Sequence, residues 1–385
     1  MNHCYLDHNA TTPLRSAVWK KISSLVDVPL NPSSMHYHGQ VAQKYISSAR
    51  TLIKKLCGCH EVIFCGGGSE ANNLALHLLL CDLSEKYQTA CQLIYFSGEH
   101  PSIKNFAKRL DKKFPPALAM PLLANGVADI EKLATTLSHL GDAPKLIALQ
   151  LANHESGVLQ PIEKLVALAS QHNGFVFADG VQFFAHRQIN MASLGITAAT
   201  IAGHKLGGWH GAAGVLLMTA PSVYPLYQGG GQENGYRPGT QNTLAIASMG
   251  FALEEAIDKQ DGENKKYKLW RDKLERQVKN IRPEVLIAGE DVERLDHVSL
   301  LVDKSISGQE MVVLMDNMKG HSAVSVSSGA ACSSGKPSPS ETLAAMGFDD
   351  AMCKNTLRVS FGHSNQDSDV DIFLANYKKI MASDN

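Results

Sequence analysis

The chain has 385 residues, of which 44% are hydrophobic and 19% charged, and its formal net charge is −1. This composition is that of a globular protein with a sizeable core, and the length suits a large domain plus a smaller one. The near-neutral balance argues against direct nucleic-acid binding. The sequence contains no run of about 18 apolar residues that could span a bilayer, and its first residues lack the pattern of a signal peptide. We therefore expect a cytoplasmic protein, or the mature form of an organellar one, without membrane contact.

The first part of the chain alternates short apolar runs with helical segments. The predicted strands are 61–65, 92–97, 145–151, 175–178, 198–202 and 214–218. The predicted helices are 71–81, 102–110, 129–139 and 163–171. Several strands are too continuously apolar for a sheet with one wet face, so they indicate a buried, mostly parallel sheet. The alternation predicts an α/β fold with crossover connections.

The pattern changes after residue 243. A long helical stretch over 244–281 is predicted, with a polar interruption at 261–264. The elements after it are a strand at 297–302, a helix at 308–315, a Ser/Gly-rich loop at 325–340 and a strand at 356–361. We predict a large domain of residues 13–258 and a smaller α+β domain formed by residues 1–12 and 259–385.

A glycine-rich motif, CGGGSEANN, occupies residues 65–73 between a predicted strand and a helix. Glycines let the backbone approach a ligand, and a helix N-terminus offers unpaired N–H groups, so the motif suits a phosphate. The spacing of Gly66, Gly68 and Ala71 also fits the fingerprint of nicotinamide dehydrogenases, but no strand-ending acidic residue follows about 20 positions later. A glycine-rich turn without a ligand is the remaining alternative.

Two charged residues end later apolar strands, where open α/β sheets bind their ligands. Asp179 follows one strand, and a carboxylate there can keep a pyridine nitrogen protonated so that the ring accepts electrons. Lys205 follows the next strand, among glycines. Desolvation would lower its pKa and make it a nucleophile for Schiff-base formation. Taken singly, a capping aspartate and a surface lysine are alternatives, but their order after the phosphate motif favours a cofactor site.

Eight cysteines are present, and in a reducing compartment they are thiols rather than a disulfide framework. Cys57 and Cys59 have the wrong spacing for a zinc knuckle, and we predict no resident metal. Most of the cysteines are expected to be small buried hydrophobes. Cys332 differs because it lies in the small, polar sequence SSGAACSSGK at 327–336. This setting suits a thiol that travels to a substrate, and an ordinary loop cysteine is the alternative.

Together these motifs resemble the cysteine desulfurases of the class V aminotransferase family, which are pyridoxal 5′-phosphate enzymes of fold type I. The resemblance covers nearly the whole chain. The matching motifs lie at 5–13, 31–34, 99–100, 153–157, 229–233, 237–240 and 358–360. It implies a mostly parallel seven-stranded sheet, a second, smaller α+β domain and a homodimer.

The resemblance also implies how the cofactor would be held. Lys205 would carry pyridoxal 5′-phosphate, Asp179 would pair with its ring nitrogen, and His100 would stack on the ring and transfer protons. The ring 3-oxygen would be hydrogen-bonded by Asn153 and Gln182. The phosphate would be held by Gly68, Ser69, His204 and Thr240, the last supplied by the second subunit. Ala202 stands where the family usually has a serine that donates to the phosphate, so its contribution is in doubt.

The implied reaction converts L-cysteine to L-alanine. Arg358 would clamp the substrate carboxylate bidentately, assisted by Asn31. Freed Lys205 would remove the Cα proton, and the Cys332 thiolate would take the sulfur as a persulfide. A sulfur-acceptor protein such as an iron–sulfur scaffold would follow, and Cys332 could then contact an iron–sulfur cluster during transfer.

Other activities on the same scaffold stay open. Selenocysteine lyases and class V aminotransferases would share the cofactor site, and a scaffold without turnover would share the fold. The nicotinamide dehydrogenase reading leaves Lys205 and Cys332 unexplained. The residues around Cys332 resemble the long-loop desulfurases that serve iron–sulfur assembly, but the segment after Cys332 is compact and leaves that group assignment open.

Overall fold

A computed structural model describes residues 3–219, 226–318, 322–329 and 339–383. The strands in these ranges are β1 (Cys4–Tyr5), β2 (Glu61–Cys65), β3 (Gln92–Phe96), β4 (Leu118–Met120), β5 (Lys145–Gln150), β6 (Gly174–Asp179), β7 (Ala198–Ala202), β8 (Ala213–Leu217), β9 (Leu286–Ile287), β10 (Val298–Val302), β11 (Val324–Ser325), β12 (Ser327–Ser328) and β13 (Thr356–Ser360).

The α-helices are α1 (Ser16–Ile22), α2 (Tyr37–Cys57), α3 (Gly68–Tyr87), α4 (Pro101–Lys108), α5 (Ile130–His139), α6 (Ile162–Ser170), α7 (Met191–Leu194), α8 (Gly203–Leu206), α9 (Thr243–Ile281), α10 (Gly308–Asp316), α11 (Glu341–Ala345), α12 (Asp350–Lys354) and α13 (Asp367–Ser383). Short 3₁₀ turns lie at Ser23–Leu25 and Gln232–Gly235. Across the described residues, no helix combines the length and apolar character needed to cross a membrane.

A seven-stranded sheet forms the larger part of the molecule, in the order β2-β8-β7-β6-β5-β3-β4. Strands β4, β3, β5, β6 and β7 pair in parallel, and β8 runs antiparallel to both β2 and β7. The predicted mostly parallel sheet is therefore confirmed, and its six predicted strands are present within about two residues. Strand β4 was not predicted, since three residues carry little periodic signal.

Helices cover both faces of this sheet, which explains the continuously apolar strands. In β5, Leu146 faces the core formed with α3, whereas Ile147 faces the core formed with α2, α5 and α6. Both side chains are fully buried. A strand enclosed in this way has no wet face and therefore no alternation of polar residues.

A smaller antiparallel sheet, in the order β12-β13-β10-β9, lies in the C-terminal part of the chain. It shares a third apolar core with α10, α13 and the second half of α9, in which Trp270, Phe373 and Tyr377 are buried. The segment predicted as a loop at 325–340 contains the short strand β12, which pairs with β13 at Arg358. Residues 330–338 of that segment lie outside the described residues.

Helix α9 runs without a break over 39 residues, so the predicted interruption at 261–264 is wrong. Gly262 costs a helix only about 1 kcal/mol. Tertiary contacts offset that cost, because Glu263 accepts two hydrogen bonds from Arg15 (2.7 and 2.8 Å) and the Asn264 amide donates to the His186 carbonyl (2.7 Å). The helix crosses residue 258, and the division into domains at that point stays a prediction.

The N-terminal segment runs between the two sheets. Strand β1 pairs in parallel with β11, and Asp7 forms a bridge to Ser360 at the end of β13. The Asn9 N–H donates to Ser360 Oγ (2.9 Å), and the Thr12 N–H donates to the His204 carbonyl (3.1 Å). These bonds bring residues 7–12 to the carboxyl ends of β6 and β7.

Candidate active site

A cavity of about 450 Å³ opens at the carboxyl ends of β6 and β7. Its size lies within the usual range for small-molecule sites, and its position is where α/β sheets bind ligands. It brings together eight of the residues singled out from the sequence, namely Gly68, Ser69, His100, Asp179, Gln182, His204, Lys205 and Arg358.

Lys205 follows β7 on the single turn α8 and reaches the cavity. Its ammonium donates to the carbonyls of Asn9 and Ala10 (2.8 Å to Ala10). Burial, and next the Arg358 charge, lower the pKa of Lys205 to about 7, while Asp7 and Asp179 act in the opposite sense. A large fraction of this side chain is therefore the neutral amine at neutral pH, which is the nucleophilic form.

Asp179 ends β6 and is held by two donors. The Asn72 amide donates to Oδ2 (2.8 Å), and the Val181 N–H donates to Oδ1 (3.0 Å). Asn72 is itself fixed, because Thr200 Oγ1 donates to its carbonyl oxygen (2.7 Å). The carboxylate is thus aimed into the cavity by neighbours on α3 and β7. Asn72 lies in the glycine-rich motif, but no role was predicted for its side chain.

His100 is the N-cap residue of α4. The Ser102 N–H donates to its Nδ1 (3.1 Å), and Ser102 Oγ lies 2.8 Å from the same nitrogen. Burial lowers the pKa of His100, and the cations Lys205 and Lys104 act in the same sense. Because Nδ1 accepts from a backbone donor, the neutral ring carries its proton on Nε2.

The end of the cavity near α3 suits an anion. Gly68 and Ser69 are the first residues of this 20-residue helix, so their N–H groups precede its regular hydrogen bonding. His204 lies beside them, and its Nδ1 is 3.1 Å from Thr11 Oγ1. Burial and the Lys205 charge lower the pKa of His204 to about 4. Ala202 is fully buried and offers only a methyl group, so it supplies no side-chain hydrogen bond to an anion.

Arg358 lies on β13 and enters the cavity from the smaller sheet. Its side chain is 5% exposed and pairs with Asp7 (2.8 Å), which also lines the cavity. A second guanidinium nitrogen donates to the His154 carbonyl (3.1 Å). Asp7 lies within one of the matching motifs but had no assigned role, so the ion pair is new information from the structure.

The structure corrects the role given to Asn153. Its amide oxygen accepts from the N–H groups of Glu155 (2.9 Å) and Ser156 (2.8 Å), and its nitrogen contacts Gly98 and Thr342. Asn153 is 1% exposed and its amide is already hydrogen-bonded, so these contacts do not support a bond to a ring oxygen.

The next residue, His154, lines the cavity instead. Its ring meets the ring of His100 edge to face, with the ring centroids 5.5 Å apart. Gln182 keeps its predicted place in the cavity wall and donates to the Asn9 carbonyl (3.0 Å).

Two other predicted residues are not at this cavity. Asn31 is exposed, and its amide oxygen accepts from the Ser33 N–H (3.0 Å), so the structure does not support a direct role beside Arg358. Thr240 is exposed and lines a separate cavity of about 230 Å³, so its assignment to a neighbouring subunit's site stays a prediction. Cys332 lies outside the described residues.

The seven described cysteines behave largely as expected. Six are buried and Cys81 is partly exposed. Burial raises the pKa of Cys4 and of Cys91 to about 12, and it raises the pKa of Cys57 and Cys65 further still. A thiol with a raised pKa is a poor nucleophile at neutral pH. These four residues are therefore poor candidates for a catalytic thiol.

A strand-end lysine with a near-neutral pKa, a strand-end aspartate and a helix N-terminus in one cavity define an α/β protein with a reactive-amine site. The chain belongs to the class V aminotransferase family, since the family model described as Aminotransferase class-V matches residues 4–373.

Named relatives and a solved structure agree with this membership. The chain is 29% identical over 374 residues to the IscS-like cysteine desulfurase of Mycobacterium tuberculosis, covering 96% of this chain and 94% of that protein. It is 30% identical over 380 residues to the cysteine desulfurase IscS of Dictyoglomus turgidum, covering 98% and 94%. A NifS-like protein from Rickettsia africae superposes with a TM-score of 0.88 at 31% identity, over 98% of this chain and 99% of that one. The predicted fold class and family resemblance are therefore confirmed.

Proposed function

We propose that the protein is a cysteine desulfurase that uses pyridoxal 5′-phosphate to remove sulfur from L-cysteine, giving L-alanine and a persulfide on Cys332. The observation that carries the proposal is the cavity in which the Lys205 amine, with its pKa lowered to about 7, shares a wall with Asp179 and Arg358. The full-length similarity to proteins named cysteine desulfurase supports the same substrate.

The residues of the cavity fit this cofactor. Lys205 would hold its aldehyde carbon, Asp179 its ring nitrogen, and the N-terminus of α3 at Gly68 and Ser69 its phosphate. The fit rests on the chemistry of the donors, because an amine, a carboxylate fixed by two hydrogen bonds and a helix N-terminus match three different groups of one molecule. When bound, the ring supplies an electron sink for bonds broken at the substrate α-carbon.

The chain's own residues would bind the substrate and move its protons. Arg358 would exchange Asp7 for the substrate carboxylate, since both anions suit the same guanidinium. The neutral Lys205 amine would take the Cα proton. His100 would donate from Nε2, the nitrogen that its cap leaves protonated.

Sulfur transfer would take place at Cys332. Its thiolate would attack the substrate sulfur, so that an S–S bond forms and the C–S bond breaks. The electron pair of the broken bond stays with the substrate carbon, which takes up a proton and leaves as alanine. Ser327, five residues earlier in the chain, lines the cavity, and its position supports this role for Cys332.

We further propose a homodimer, in which Thr240 completes the phosphate site of the partner subunit, and a sulfur-acceptor protein as the next carrier. A cytoplasmic location is proposed with them. The division into domains of residues 13–258 and of residues 1–12 plus 259–385 belongs to the same proposal.

Mass spectrometry after incubation with L-cysteine tests the reaction and the nucleophile together. The peptide that contains Cys332 should gain about 32 Da, the mass of one sulfur atom, and the gain should be removed by a reductant. Cys81→Ala, which changes a partly exposed thiol elsewhere, should leave the adduct in place, and Lys205→Ala should abolish it. A sulfur adduct on another cysteine, or undiminished alanine production by Cys332→Ala, would refute the proposed role.

A further inference from the structure

Asp179 and His100 are joined by a continuous chain of hydrogen bonds through Asn72 and Ser102, two residues whose side chains had no predicted role. Asn72 Nδ2 is 2.8 Å from Asp179 Oδ2 and 3.0 Å from Ser102 Oγ, and Ser102 Oγ is 2.8 Å from His100 Nδ1. We propose that Asn72 and Ser102 are positioning residues that fix Asp179 against His100 and hold His100 as the Nε2–H tautomer. This inference rests on the proposed function and extends it.

The direction of each hydrogen bond follows from the partners of Asn72. A carboxylate only accepts, so the Asn72 nitrogen must face Asp179, and Thr200 Oγ1 donates to the Asn72 oxygen on the other side (2.7 Å). Asn72 is 1% exposed, so water does not compete for these contacts. The orientation of the amide is thereby fixed by its surroundings.

The same reasoning assigns the hydrogen of Ser102. Its oxygen accepts from the Asn72 nitrogen, so its own O–H is free to donate to His100 Nδ1. The backbone N–H of Ser102 points at the same nitrogen (3.1 Å), because His100 caps α4. The hydroxyl and the backbone N–H of Ser102 both donate to Nδ1, so a proton on that nitrogen would be placed against two donor hydrogens. The ring proton is therefore held on Nε2.

This tautomer divides the proton transfers between two side chains. In the resting state His100 has a proton to give at Nε2 and no lone pair there with which to take one. Lys205 would then supply the proton acceptor, because its amine becomes available once it no longer holds the cofactor. The charged groups around His100 are Lys104 on its own helix, Asp179 and Lys205 at the ends of β6 and β7, and Glu341 on α11, with the His154 ring beside it.

Nitrogen-15 NMR of the histidine-labelled protein tests the tautomer without any turnover. His100→Gln identifies the signals by their loss. In the wild type at neutral pH, Nδ1 of His100 should be unprotonated and Nε2 protonated. Ser102→Ala removes one donor to Nδ1, so the spectrum should move towards a mixture of tautomers, and Ser102→Thr should restore it. A proton found on Nδ1 in the wild type would overturn the inference.

Steady-state kinetics test the positioning role. Asn72→Leu keeps the side-chain size and removes the bridge, so kcat should fall about 10- to 100-fold while KM changes by less than about threefold. Asn317→Leu is the matched control, because Asn317 is exposed at the end of α10, where its amide donates to the Val313 carbonyl (2.9 Å), and kcat should stay near wild type.

The two measurements separate this inference from the proposed function. If the wild type releases no alanine, the proposed function fails, and the NMR spectrum still decides the tautomer. If Asn72→Leu does not fold, Ser102→Ala supplies both measurements. Unchanged kcat and an unchanged His100 spectrum in Ser102→Ala would refute the bridge.

Discussion

Replacing His186 with phenylalanine should make the protein more resistant to acid. The His186 ring stacks on that of His297 at 3.6 Å, with only 14° between the ring planes. Neither Nδ1 atom has a hydrogen-bond partner among the described residues. Burial, and next the Arg15 charge, lower the pKa of His186 to about 3. The folded protein therefore resists a proton that the unfolded chain accepts readily.

The size of the effect follows from the two pKa values. An unfolded histidine titrates near pH 6.5, and His186 in the folded protein does so near pH 3. As the pH falls below 6.5 the unfolded chain binds the proton first, so stability is lost progressively until about pH 3. At pH 5 the loss is about 2 kcal/mol for one such histidine. His8, with its pKa lowered to about 3 by burial, adds a similar loss.

Urea unfolding at pH 7.5 and pH 5 measures this difference. The wild type should lose about 2 kcal/mol more than His186→Phe between the two pH values, because phenylalanine keeps the stacked ring and removes the titration. Phe373→Leu is the control, since it weakens a buried core without a titrating group and should lower stability equally at both pH values. An equal loss on acidification in His186→Phe and the wild type would refute the reasoning.

Two further predictions concern the cavity, and a third concerns the buried Glu155 carboxylate. Uptake of pyridoxal 5′-phosphate by the apoprotein should rise with pH, with its midpoint near pH 7 and a plateau about one pH unit higher, because the pKa of Lys205 is lowered to about 7 and only its neutral amine reacts; a rise that continues to pH 9 would contradict this. Asp7→Asn removes an anion that raises the pKa of Lys205, so the same profile should move to lower pH, and a move upwards would contradict it. Glu155→Gln weakens the bonds from the hydroxyls of Ser340 and Thr342 (2.7 Å to Thr342), so the free energy of unfolding should fall by about 1–3 kcal/mol, whereas the exposed Glu163→Gln should change it little.

The sequence predicted the elements that carry chemistry better than the side chains that surround it. Lys205 and Asp179 could be found because each follows a buried apolar strand, and the carboxyl ends of parallel strands meet at one edge. Helix α2 was missed, although its buried residues recur at helical spacing from Gly39 to Cys57. It follows an irregular segment without a clear starting signal.

Side-chain direction at the turn after β5 could not be predicted. Asn153 and His154 are adjacent, yet the Asn153 side chain is hydrogen-bonded within the turn, whereas the His154 side chain lines the cavity. The role of the Asn72 side chain could not be predicted for a different reason. Its importance comes from contacts with Asp179 and Ser102, which are 107 and 30 residues away in the chain. No local pattern in the sequence could predict contacts between residues so far apart in the chain.

The contact between residues 7–12 and β13 has a consequence for biosynthesis. Asn9 and Ala10 provide the carbonyls that hold Lys205, and Asp7 holds Arg358. Asp7 and Asn9 are themselves anchored to Ser360. Because a ribosome makes residue 360 long after residue 9, residues 7–12 cannot form these contacts until β13 has been synthesised. The large sheet can form while the chain is still growing, but Lys205 gains its final surroundings only after residue 360 has been made. The nascent chain is thereby kept from completing the cavity before β13 has been synthesised.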